Sequence, residues 1–235
     1  MRKTGAEGMR VGAAVSIGAM PVPRVIAAMA AVVFGAALMT AAAPNAAAAP
    51  CPDAEVVFAR GRLESAGAGQ IGNALASALR AKTGKNIGLY AVNYPADTEV
   101  DEGANDMSRH IQAMVAQCPG TRLVVGGYSL GAAVADVVLA VPIRAFGFNR
   151  PLPSGTDQHI AAVALFGNGF QWVGPITTFS PLYQDRTIEL CHGDDPICNP
   201  TNPRNWQDYW PDHLAPAYIR AGMVNQAVDF VAGRI

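Results

Sequence analysis

Runs of basic residues are missing from this sequence, and so is any excess of positive charge. Lys and Arg number 17 against 18 Asp and Glu, a net charge of −1. The first 49 residues carry Arg2, Lys3, Arg10 and Arg24 but only one acid, Glu7, so the remainder holds 13 basic and 17 acidic side chains. A charge near −4 with no basic stretch excludes nucleic acid as a partner. Metal-binding spacing is missing too. Cys51, Cys118, Cys191 and Cys198 include no C-x2-4-C pair, so a zinc site is disfavoured and no metal is expected. Histidine is scarce, with only four in the chain. The longest apolar run, residues 25–39, falls short of the roughly 20 residues that span a bilayer. No internal repeat or low-complexity segment interrupts the residues after 50.

What is present begins with a leader. Residues 1–24 carry the four basic side chains, residues 25–39 are apolar, and residues 40–49 are small with several A-x-A sites. That order is a secretory signal peptide, residues 1–49, cut between about Ala46 and Pro50. An uncleaved anchor is the alternative, and Met9 or Met20 is a possible start because the leader is long. Residues 50–235 are then one domain, long enough for a full core and too short for two ordinary ones. An even cysteine count in an exported chain favours disulfides, although four cysteines allow three pairings. The simplest joins Cys51 to Cys118 and closes a small ring from Cys191 to Cys198.

Hydrophobic patterning predicts strands at 55–59, 87–94, 122–126, 160–166 and 186–190, and helices at 71–82, 103–117, 130–139 and 217–232. Strands alternating with helices imply an α/β domain, a three-layer sandwich whose central five-stranded sheet is mainly parallel. One decoy lies at Gly67–Gly72, which fits G-x-G-x-x-G. It starts about eight residues past the first strand, where a dinucleotide turn follows at once, and it lacks the acid about 20 residues on. These glycines read as a loop entering a helix, and no cofactor is expected.

The informative stretch is Leu123-Val124-Val125-Gly126-Gly127-Tyr128-Ser129-Leu130-Gly131, followed by an Ala-rich helix former. A β-branched run, G-x-S-x-G and a helix make the order of a nucleophile elbow, with Ser129 on a tight strand-to-helix turn. A structural turn is the plain alternative. A serine hydroxyl needs a base, and the base an orienting acid. In an elbow-type hydrolase these follow in the order Ser, acid, His. His110 precedes the serine, His159 lies at the wrong end of a strand, and His213 precedes the last helix on the expected side, leaving His192 as its rival. For the acid, the ring Cys191-His192-Gly193-Asp194-Asp195-Pro196-Ile197-Cys198 offers two adjacent aspartates, and Asp212 is a plainer candidate. The oxyanion hole is expected to use the backbone N–H groups of Leu130 and Arg62.

Taken together, F-A-R-G-x-x-E at Phe58–Glu64, G-Y-S-x-G at Gly127–Gly131, C-x-G-D-D-P-I-C at Cys191–Cys198 and the pair His213-Leu214 resemble the cutinase family of secreted serine esterases, in particular its actinobacterial members. The likeness runs from Cys51 to the end of the chain. It implies a lidless α/β-hydrolase fold, the two disulfides already suggested, and a triad of Ser129, His213 and Asp195. The family's aspartate lies three positions before the second ring cysteine, which selects Asp195 over Asp194. Two positions depart from the family. Leu130 stands where Gln is usual, and Arg62 stands where a Ser or Thr usually supports the oxyanion. The resemblance implies hydrolysis of acyl esters, polyesters or lipids through an acyl-enzyme, by a secreted monomer without cofactor, with cell-wall association left open. Contact with a lipid surface is left open.

Phe170, Trp172, Val173, Phe179, Leu182, Tyr183 and Leu214 are candidates to line an acyl groove. Trp206, Tyr209 and Trp210 are expected to pack in the core, with sugar stacking as in acetylxylan esterases as the alternative. Two other classes remain open: a cell-envelope acyltransferase, and a secreted binding or antigenic protein whose site has decayed.

Overall fold

A computed structural model describes residues 50–172, 176–199 and 205–235; the expected signal peptide lies outside the described residues. Strands β1 (Ala54–Ala59), β2 (Ile87–Ala91), β3 (Arg122–Tyr128), β4 (Ile160–Phe166) and β5 (Thr187–Leu190) form one sheet in the order β2-β1-β3-β4-β5. Every pairing is parallel. Parallel strands need crossovers, and helices α1 (Gly69–Thr83), α2 (Val100–Gln117) and α3 (Leu130–Ala140) supply the first three. The short α4 (Ile176–Phe179) lies between β4 and β5, and α5 (Trp210–His213), α6 (Ala215–Arg220) and α7 (Met223–Ala232) follow β5.

Side chains alternate across the sheet, so each strand serves two cores. Val56, Phe58, Val124, Ala164 and Phe166 pack with Leu75, Leu79, Val228 and Val231 of α1 and α7. Val57, Val125, Val163 and Leu165 pack with Met107, Ile111, Val134 and Val138 of α2 and α3. Both faces are therefore covered. This explains why the strands read as unbroken apolar runs.

The chain steps outward from β1 to β2, then returns to β3 on the other side of β1. Loops leaving β1 and β3 diverge at that reversal, and the crevice between them at the carboxyl edge is where an open α/β sheet takes its ligand. Ser129 stands at that edge, directly after β3.

Three of the differences in extent from the expected elements have a visible cause. The second strand stops at Ala91 rather than reaching residue 94. The buried Arg60 guanidinium collects the carbonyls of Tyr94 (2.7 Å), Pro95 (3.2 Å) and Val92 (3.5 Å), which draws the chain out of the ladder. The last helix is two helices, because Gly222 takes φ +74° between α6 and α7. The fifth strand begins at Thr187, after a 3-10 helix at Pro181–Arg186 whose Arg186 donates to Ile160 O at the start of β4. Leu182 and Tyr183 therefore lie toward the amino edge. Tyr183 is buried in the α2 and α3 core, away from any acyl groove.

The disulfides are Cys51–Cys118 and Cys191–Cys198, as expected. The first fixes the start of β1 to the end of α2 across a separation of 67 residues; on chain entropy such a closure contributes about 4 kcal/mol. The G-x-G-x-x-G stretch does enter α1, and the Glu64 carboxylate occupies the helix entrance, accepting from Gln70 N (3.0 Å) and Gly61 N (2.7 Å). An anionic side chain already sits where a phosphate would need those donors.

The elbow sets the tightest steric demand. A Cβ on Gly131 would lie 2.0 Å from Ala59 O, and one on Gly127 would lie 2.0 Å from Gly131 O. Both neighbours are backbone, so neither gives way cheaply. Gly131→Ala should cost about 3 kcal/mol of stability, at the upper end for overpacking, whereas Gly84→Ala meets open space and costs only its left-handed backbone, about 1 kcal/mol. Equilibrium urea unfolding followed by circular dichroism measures both; equal losses would contradict the steric account.

Candidate active site

The site begins with a strained residue. Ser129 has φ +54° and ψ −119°, values a residue with a Cβ rarely adopts and that cost about 1–3 kcal/mol. The elbow holds it there. Ser129 N–H donates to Phe166 O (2.8 Å), Ala132 N–H donates to Ser129 O (3.0 Å), and the two bare glycines allow β3, α3 and the end of β1 to meet. The hydroxyl consequently stands proud of the sheet edge.

Ser129 Oγ lies 2.8 Å from His213 Nε2, and His213 Nδ1 lies 2.7 Å from Asp195 Oδ2. His213 is nearly buried and Asp195 fully so. An ionised carboxylate only accepts, so Nδ1 carries the proton toward Asp195, and Nε2 is left to accept from the serine hydroxyl. Asp195 Oδ2 also accepts from Tyr218 Oη, and Oδ1 from Ile197 N–H at 2.8 Å. Burial alone would raise this carboxyl. The hydrogen bond and charge of His213, with the donors Tyr218 and Ile197, outweigh it and hold Asp195 below its ordinary value. The disulfide-closed ring that carries Asp195 keeps these donors in register.

Two aromatic residues frame the imidazole, and a third backs one of them. Tyr128 packs its ring 5.4 Å from the His213 ring and donates its hydroxyl to His213 O. Trp210 lies 4.9 Å from the same ring on the outer side, and Trp206 meets Trp210 edge-on at 5.7 Å. Trp206 and Trp210 are 44% and 39% exposed, which corrects the expectation that they pack in the core; Tyr209 is half-buried. They form an open shelf beside the histidine.

The competing candidates lie elsewhere. His192 faces Asp212, 3.5 Å away. Asp194 is exposed, its N–H bonded to Asp212 Oδ2 (3.0 Å), so Asp212 ties α5 to the ring and is not the partner of His213. Arg62 is exposed and gives its guanidinium to Asp97, Nη2 at 2.6 Å and Nε at 2.8 Å. Leu130 is the first residue of α3, and the contact of Gly131 with Ala59 and Arg60 brings that helix start beside the loop that carries Arg62. Of the proposed groove residues, Phe170, Phe179 and Leu214 are exposed beyond the carboxyl ends of β4 and β5. Val173 lies outside the described residues.

Sequence reasoning missed Tyr128 and Tyr218. Tyr128 occupies the variable position of G-x-S-x-G and could have been singled out as the residue that must turn inward when Ser129 turns outward. Tyr218 carries no signal, since its approach to Asp195 depends on how α6 folds back over the sheet.

A family model described as Cutinase matches residues 50–235. The probable carboxylesterase Culp2 of Mycobacterium tuberculosis is 70% identical over 187 residues, which cover 80% of this chain and 81% of that protein. The phospholipase Culp4 of the same species is 48% identical over 218 residues, 90% of this chain and 92% of that protein. Among solved structures, a Trichoderma reesei cutinase in complex with a C11Y4 phosphonate inhibitor superposes with a TM-score of 0.58 at 26% identity, covering 78% of this chain and 77% of that one. The elbow, the ring and the surrounding α/β sheet are thus those of a known lineage: this chain belongs to the cutinase family.

Proposed function

We propose that the esterase chemistry of this enzyme runs through Ser129, His213 and Asp195. His213 Nε2 takes the hydroxyl proton as Ser129 Oγ attacks the ester carbonyl. The imidazolium that forms is stabilised by Asp195, and it returns the proton to the departing alcohol. Water, activated by the same nitrogen, then releases the acid from the acyl-serine. The observation that carries this reading is the unbroken chain of contacts from Ser129 through His213 to a buried, ionised Asp195. Oxyanion stabilisation falls to the backbone N–H groups of Leu130 and Arg62, which have no acceptor among the described residues. Because Asp97 already holds the Arg62 side chain, that donor is the backbone alone.

The substrate class is acyl esters of lipid type. The relatives' names, carboxylesterase and phospholipase, support it, as do exposed Leu63, Phe170, Phe179, Trp210 and Leu214 in the loops and short helices beyond the carboxyl edge, which offer contact with acyl chains or a lipid surface. A second reading, a polysaccharide acetyl esterase, is favoured by the Trp206–Trp210 shelf. Two disulfides support a secreted protein.

Release of p-nitrophenol from butyrate, octanoate and palmitate esters tests the assignment. Ser129→Ala should lose about 10⁴-fold or more in kcat. An unaffected variant, or a folded wild type that neither turns over nor reacts with a fluorophosphonate, would overturn it. Preference for acetylated xylan over every acyl ester would favour the second reading.

Tyr218→Phe probes the buried acid. Removing a donor to the charged form should cost about 1.5–3 kcal/mol at pH 7. Asp195 titrates below its ordinary value, so its stabilisation is present above the unfolded value of about 4 and is lost as pH falls through the folded one. The difference between wild type and variant should therefore shrink between pH 5 and pH 2 in urea unfolding. A difference independent of pH would mean that Tyr218 contributes only packing.

A further inference from the structure

Two carboxyls, one buried and one half-buried, take no part in the chemistry above. Asp136 lies on α3, two turns beyond Ser129, and is 7% exposed. Glu189 lies on β5, in register with Leu165 of β4 and just before the ring that carries Asp195. Asn168, fully buried, lies beside the first: its Nδ2 donates to Asp136 Oδ2 (2.8 Å) and its Oδ1 accepts from Phe170 N–H (3.0 Å). Glu189 Oε1 in turn accepts from Ile176 N–H, the first residue of α4 (3.2 Å). Phe170 and Ile176 are therefore both hung from this cluster.

The cluster also backs the triad. Gly167 precedes Asn168, donates its N–H to Leu190 O, and leaves room where a Cβ would come within 3.2 Å of Asp195 Oδ2 and His213 Cε1. Phe166, one residue earlier, accepts the Ser129 N–H. A shift of Asn168 would be felt at Ser129, His213 and Asp195 alike.

The cluster is short of protons. Among the described residues, neither Asp136 Oδ1 nor Glu189 Oε2 has a hydrogen-bond partner, though both are buried. The groups facing Asp136 are Val137 of α3, Phe170 beyond β4, Ile176 and Phe179 of α4 around a cavity of ≈ 260 Å³, and Asn168 and Glu189; none is a cation. Two bare carboxylates in such surroundings are unfavourable, because each orphaned oxygen is desolvated and the charges repel. A single proton removes one charge and turns an orphaned acceptor into a donor.

We propose that Asp136, Asn168 and Glu189 form a clamp that holds one proton and positions Gly167 and Phe166 against the triad, so that the active geometry lasts only while the proton is held. These are positioning residues. Their effect on turnover rests on the esterase reading, and the proton itself does not. Burial above all, with the Glu189 charge adding and the Asn168 bond opposing, pushes Asp136 up to about 7, and burial raises Glu189 as well.

The test compares wild type, Asp136→Asn and Asp136→Val in p-nitrophenyl butyrate turnover from pH 5.5 to 9 and in urea unfolding from pH 4 to 9. Asp136→Val, which strands the Asn168 amide, should lose roughly 10- to 10²-fold in kcat. Asp136→Asn keeps an acceptor for Asn168 and carries no charge at any pH, so it should restore kcat and remove the decline on raising pH through about 7. The folded protein binds the Asp136 proton more tightly than the unfolded chain. Its stabilisation is therefore full below about 4 and is lost as pH rises toward about 7, so wild type should lose stability relative to Asp136→Asn across that window and level off above it. A wild-type kcat profile in Asp136→Asn, with no pH-dependent difference in unfolding, would overturn the clamp. Should Asp136→Val fail to fold, the Asn comparison decides alone. If Ser129→Ala retains turnover, the esterase reading fails while the unfolding arm still judges the proton.

Discussion

The site depends first on a contact between backbones. At the elbow, the carbonyls of Ala59 and Gly131 lie where side chains at positions 131 and 127 would have to be. That closeness turns Ser129 out at φ +54°, brings the loop after β1 against the first turn of α3, and so sets candidate nucleophile and candidate oxyanion donors in one small volume. Strain of a few kcal/mol at one serine is tolerable only because the sheet on both sides is rigid and parallel, with β1 and β4 flanking β3. The placement of Ser129 is therefore a property of three strands rather than of one pentapeptide.

From the elbow outward, the demands pass to electrostatics. Asp195 is fully buried and would be protonated in a merely apolar pocket. Donors from three elements, His213 of α5, Tyr218 of α6 and Ile197 of the ring, converge on it instead. This is why the helices after β5 are short and interrupted. A single straight helix could not bring His213 over the sheet edge and also return Tyr218 to Asp195. Gly222 then lets α7 run back along α1. The break that patterning overlooked, at Gly222, lies beyond these donors and serves the packing of α7.

Much of this was legible because its causes are local. G-x-S-x-G after a β-branched run states its own backbone requirement, and the five strands are apolar because both faces of a parallel sheet are covered. His213 followed from chain order together with its place before the last helix, with His192 left as its rival. Asp195 did not, since two neighbouring aspartates in one ring are equivalent until the ring is folded; there the family spacing decided. What stayed illegible depends on distant partners. Arg60 ends β2 by taking carbonyls more than 30 residues away, Tyr218 finds Asp195 across two helices, and the exposure of Trp206 and Trp210 follows from where α5 docks. Glu64 was visible within a motif, yet its work of bridging Gly61 and Gln70 across the α1 entrance needed coordinates.

The two buried acid centres set the chemistry in relief. Both lie beside the carboxyl edge of the sheet and both are desolvated, yet they are held in opposite directions. Asp195 receives three donors and stays charged, while Asp136 receives one, faces a second carboxyl, and is raised. Burial by itself thus fixes neither state; the number of donors delivered to each carboxyl does. The same loop borders both centres, with Gly167 against Asp195 and Asn168 against Asp136. A single residue step along the backbone separates a carboxylate that needs its charge to orient His213 from a pair that is best satisfied with a proton. Movement of that loop cannot alter one centre without disturbing the other.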